Sequence, residues 1–118
     1  MTVIEVRNLA LKEILAGQSL ASDFKTDFID FKEMNTGFIQ VSQLVVPDTT
    51  DGVFSLEVSI ICEESTFIPY PNSSRGFSTC TNFGWSFCNI AFRYARVCYM
   101  ANGVTTGSID IHALARLT

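Results

Sequence analysis

Few residues in this chain are suited to chemistry. There is one histidine, His112, two positions from Asp110, and there are four cysteines, at positions 62, 80, 88 and 98. An acid and a histidine on one strand face, with serines elsewhere, hold the components of a Ser-His-Asp relay. That relay also needs a nucleophile on a strained turn and an oxyanion hole, and no stretch carries the pattern of either. Asp110 and His112 are therefore expected on a solvated strand face. Asp23, Asp27 and Asp30, or Asp48 with Asp51, offer oxygen atoms to calcium, but neither group follows an EF-hand loop. Carboxylate pairs for glycoside hydrolysis are defined in space rather than along the chain, and nothing here marks one. The cysteines form no CxxC, and a lone histidine supplies no mixed His/Cys spacing, which argues against zinc. The reading is of a protein that is not an enzyme, with no catalytic residue, no cofactor and no metal.

Composition sets the class. A chain of 118 residues is one domain by length, and 47% hydrophobic residues with ten phenylalanines can form a core. The net charge of −4 argues against a nucleic-acid or anionic-membrane partner, and Arg93 with Arg96 is the only close basic pair. No apolar run reaches the length of a membrane span. The opening MTVIEVRNLALKEIL is charged throughout and has no apolar signal region, which predicts synthesis in a cytoplasm. In that compartment the cysteines are expected to be reduced, with Cys62 and Cys98 behaving as small hydrophobes on strand faces.

The elements that must position these residues read as strands. Val53–Cys62 alternates strictly, with Phe54, Leu56, Val58, Ile60 and Cys62 on one face and Ser55, Glu57 and Ser59 on the other. It is expected to be an inner strand whose apolar face the rest of the chain covers, so that Leu56 is buried and Glu57 tolerates truncation. Gly37–Val46 follows the same rule with Ile39 and Val41 inward, and Pro47 ends it. Further strands are predicted at 24–31 with Ile29 and Phe31 inward, at Thr66–Pro69 on an edge, around Trp85, at 91–100 with Ala95, Val97 and Tyr99 inward, and at 106–113 with Ile109 and Ile111 inward. These seven or eight short, turn-separated strands predict an all-β, antiparallel sandwich of jelly-roll type. The organisation reads as residues 1–20, a strand or an extended arm, followed by a sandwich at 21–118. An arm would leave Leu9, Leu11, Ile14 and Leu15 exposed for assembly with a neighbour. Tyr70–Thr81 reads as an exposed loop. In it Tyr70 and Phe77 fit a sugar-stacking platform as well as they fit a core, whereas Trp85 reads as core.

Two segments resemble small β-sandwich virion structural proteins of tailed bacteriophages. Gly52–Ser59 (GVFSLEVS), followed by Phe67-Ile68-Pro69, is similar to that family's G-x-F-x-L-E-x-S strand. Phe92–Tyr99 (FRYARVCY), then Gly103 and Gly107-Ser108-Ile109, is similar to its R-Y-x-R-V-x-Y strand, turn and last strand. Ser22–Phe31 before Gly37–Val41 matches in order, and Ile60–Glu64 stands where that family has an Asn-Asp-Gly turn. A weaker likeness is to discoidin-like, galactose-binding sandwiches. The first resemblance implies a head-decoration, head-fibre or tail component located in the virion, a homo-oligomer contacting capsid or tail subunits. The second implies a carbohydrate-binding module with a surface glycan as ligand.

Overall fold

In the computed structural model, which describes residues 2–77 and 82–118, the chain forms two packed β-sheets. The strands are β1 (Val3–Glu5), β2 (Lys12–Ser19), β3 (Phe24–Lys25), β4 (Phe28–Asp30), β5 (Thr36–Val45), β6 (Val53–Ser59), β7 (Ile68–Pro69), β8 (Arg75–Gly76), β9 (Asn82–Phe87), β10 (Tyr94–Met100) and β11 (Ser108–Arg116). Sheet A is ordered β1-β4-β10-β6-β7, with β3 added to β10 and β8 to β6; sheet B is ordered β2-β11-β5-β9. The predicted all-β sandwich is therefore what the chain adopts. Among the described residues it has eleven strands rather than seven or eight, because residues 1–20 supply both β1 and β2, the 24–31 stretch divides into β3 and β4, and the predicted loop from Tyr70 contributes β8.

Alternation decides what each sheet buries. From sheet A, Ile29, Phe54, Leu56, Ala95, Val97 and Tyr99 point inward. From sheet B, Ile39, Val41, Trp85, Phe87, Ile109 and Ile111 meet them, and both sets belong to one core. The inward sets predicted for 24–31, for β5, β10 and β11 are all in place. In β6 the expected face holds through Val58 and then fails. The Ser59 hydroxyl bonds both the N–H and the C=O of Ile61, turning the chain out of the sheet, so Ile60 is exposed and Cys62 only half-buried.

Residue 20 is not a boundary. The first segment supplies one strand to each sheet: β1 lies parallel to β4, and β2 pairs antiparallel with β11. Leu20 is fully buried and its N–H donates to the Gly107 carbonyl. A free arm is thus replaced by two integrated strands, because β11 takes up the backbone hydrogen bonds that an arm would have offered to a neighbour. The register of β2 on β11 shifts near Gly17, whose φ of +60° marks a bulge. The Asp110 carboxylate accepts the Gly17 N–H at 2.8 Å and holds the bulge.

Candidate assembly surface

The outer face of sheet B carries the residues that alternate with its core positions. These are Phe38, Gln40 and Ser42 on β5, and Asp110, His112, Leu114 and Arg116 on β11. Phe38 and Leu114 stand directly opposite each other in register, and both are 39% exposed. Gly84, on the neighbouring β9, leaves room for the Phe38 ring, since a side chain there would run into that ring and the Ile39 carbonyl. The ring thus lies across the strand instead of standing away from it.

Two shallow grooves meet at Phe38 and Leu114. One, of about 480 Å3, continues past Thr36, Ser86, Cys88 and Arg116 to Leu9. The other, of about 370 Å3, continues past Gln40, Ser42 and His112 to Leu11. Leu9 and Leu11 are 61% and 70% exposed. Leu9 holds a φ of +55°, a left-handed conformation that bulky side chains rarely adopt, and its N–H donates to the Ala115 carbonyl at 2.8 Å. Single exposed leucines are ordinary, whereas Leu9, Leu11, Phe38 and Leu114 line two grooves that meet, which makes this band the candidate interaction surface.

The four expected assembly residues therefore separate. Leu9 and Leu11 lie on the band. Ile14 is buried in the core and Leu15 packs against it, because β2 is a sheet strand whose register on β11 slips by one residue at Ile14, which lets both neighbours reach the core. Phe38 and Leu114 were not singled out from sequence. Their signal was a large apolar residue at the outward position of an alternating strand: Phe38 beside Ile39, and Leu114 between Ala113 and Ala115.

The expected ligand loop is corrected as well. Phe77 is only 4% exposed and packs edge-to-face on Phe54 and Phe83. Tyr70 is half-buried against Phe87 and Phe92. Trp85 is core, and its indole N–H donates to the Ser73 carbonyl at 2.7 Å. The loop folds back because its aromatic rings have the open end of the core to fill. Positions 78–81 of that loop, Cys80 included, lie outside the described residues.

Asp110, His112, Asp23, Asp30 and Asp48 have structural partners. Asp110 holds the bulge, and the imidazole of His112 lies 3.8 Å from the Glu13 carboxylate. Asp23 accepts the Ala101 N–H, and Asp30 accepts the Lys32 N–H and two bonds from Arg93. Asp48 accepts from the Thr105 N–H and hydroxyl and from the Thr106 N–H, which bring its pKa down to about 2. Among the described residues no group of three or more His, Cys, Asp or Glu side chains could hold a metal ion.

The outer face of sheet A is built differently. Arg96 on β10 is buried, its guanidinium packed against the Phe28–Phe67 ring pair, with ring centroids 5.6 and 4.6 Å away and the two rings 4.4 Å from each other. It bonds Glu57 at 2.7 Å and also Glu64, while Lys25 sits 3.5 Å from Glu57. Burial pushes the Glu57 carboxyl up, but the Arg96 hydrogen bonds and charge outweigh it and hold the pKa below its usual range. Glu57 is consequently not the dispensable outward residue that alternation suggested. Cys98 lies beneath the same cluster, and burial together with the Glu57 charge lifts its thiol to about 11.

In sequence, no family model and no curated protein matches this chain. In structure it is similar to the crystal structure of the SPBc2 prophage-derived protein YomS, with a TM-score of 0.61 over 90% of each chain at 11% identity. At that identity the likeness is one of fold: two proteins build the same sandwich from different residues.

Proposed function

We propose that this chain is a non-enzymatic structural subunit of a bacteriophage particle, made in the host cytoplasm and present in multiple copies on the capsid or tail. The observation that carries the reading is the apolar band of Leu9, Leu11, Phe38 and Leu114 on the open face of sheet B. An apolar sheet face rimmed by polar residues suits docking onto another protein rather than capture of a small polar substrate. The phage-like strand motifs at 52–59 and 92–99, and the shared fold with a prophage-derived protein, supply the setting. Neither a membrane nor a nucleic acid is the partner in this reading. A glycan-binding module is the weaker alternative, since Tyr70, Phe77 and Trp85 pack inward.

The test introduces Phe38→Asp and Leu114→Asp together. Both side chains are partly exposed, so the double variant should remain folded. Mass spectrometry of purified phage particles should detect the wild-type chain in many copies and lose the double variant. Incorporation at an unchanged copy number would remove the band from any assembly role.

A further inference from the structure

We propose that a second copy of this chain covers the band, forming a two-fold dimer whose axis runs along the Phe38–Leu114 row. This inference rests on the assembly reading above and names the partner. The ground is the charge pattern about that row. On β11, Arg116 lies two residues to one side of Leu114 and His112 two residues to the other. On β5, Thr36 and Gln40 flank Phe38 at the same spacing, opposite Arg116 and His112. Glu13 on β2 pairs in register with His112 and is well exposed. A two-fold axis along the row turns one flank onto the other, as an isologous interface requires. Leu114 and Phe38 then meet their own copies, and each Arg116 comes to rest over the partner's Glu13 and His112. The basic and acidic ends of one face thus answer each other only when that face meets itself in this orientation.

Size agrees with a dimer of modest affinity. Strands spaced about 4.8 Å apart and rising about 3.3 Å per residue give a four-stranded face roughly 500 Å2. Two such faces bury about 1,000 Å2, the lower end of specific interfaces and suited to micromolar association.

The experiment is a charge swap followed by sedimentation velocity at low salt. Arg116→Glu alone sets like charges against each other at both ends of the interface, and so does Glu13→Arg alone. Each should weaken the dimer about 10-fold or more. The double variant Arg116→Glu/Glu13→Arg should return to within about 3-fold of wild type, because both contacts are remade with reversed sign. Mixing the two single variants should yield a heterodimer tighter than either homodimer. Both residues involved are at the surface, and circular dichroism should show every variant folded. A wild-type chain that stays monomeric at several hundred micromolar overturns the dimer, and so does a dimer indifferent to the swap. The two proposals fail separately. A monomeric chain that enters particles through the band keeps the assembly reading and loses this one. A swap-sensitive dimer whose Phe38→Asp/Leu114→Asp variant still enters particles does the reverse.

Discussion

The outer faces of the two sheets solve opposite problems. On sheet A, a buried guanidinium is enclosed by its own chain: Glu57 and Glu64 answer its charge, and the stacked Phe28 and Phe67 rings pack against it. On sheet B, Phe38 and Leu114 lie in register, partly exposed, with no other described residue folded over them. The difference lies in the connections. The segment after β6 turns outward at Ser59, passes through a short 3-10 helix at Glu64–Thr66, and returns as β7, laying Phe67 onto sheet A. No described connection crosses sheet B in the same way. A closed face contributes to stability, whereas an open apolar face contributes to association, and mutations on the two should therefore separate those properties.

The largest effect sets the scale, inside both sheets. Leu56→Asp places a carboxylate in the core at a fully buried position of β6. The cost is several kcal/mol against a typical total of about 5–15, so the variant should fail to fold. A cooperative melt near the wild-type temperature would contradict the assigned core.

Glu57→Ala breaks the closed face. It leaves Arg96 buried with Glu64 as its remaining carboxylate, a loss of about 2 kcal/mol or more. Thermal denaturation should show a clear drop in Tm, and self-association should be unchanged. An unaltered melt would mean that the cluster contributes packing rather than electrostatics.

Acid should act on the same face. Glu57 has a depressed folded-state pKa, so its contribution is complete above the ordinary carboxyl value of 4.5 and disappears as the pH falls through the folded value. Asp48 behaves alike, between 3.8 and about 2. Stability measured in urea should decline below pH 4.5, and the Glu57→Ala variant should decline less steeply. Equal slopes would assign the acid sensitivity to other groups.

The smallest stability change belongs to the open face. Leu114→Ser should alter the folding free energy by no more than about 1 kcal/mol, yet weaken association measurably. Thiol labelling sharpens the contrast. Cys88, exposed beside the sheet B groove, should react within minutes in the native protein, whereas Cys98, buried beneath Arg96, should react only on unfolding. Equal reactivity of the two would mean that the sheet A face opens readily.

The sequence by itself determined the β class and most inward positions, because a period of two is a local property of the chain. Phe54, Leu56, Ile39, Val41, Ile109 and Ile111 were legible in that way. So were the end of β5 before Pro47 and the inward half of β10. Tertiary structure alone decided which faces were closed. Arg96 meets Glu57 and Glu64 across 39 and 32 residues of chain, and no local pattern reports such a pairing. The same holds for residues 3–19, whose apolar content fits an arm as well as a strand until β11 and β4 are present to pair with them. Phe77 was ambiguous for a related reason, since a ring in a polar loop is buried only if the loop returns to the core. Alternation tells which side chains share a face; the path of the connections tells whether anything covers that face, and only the folded chain contains that path.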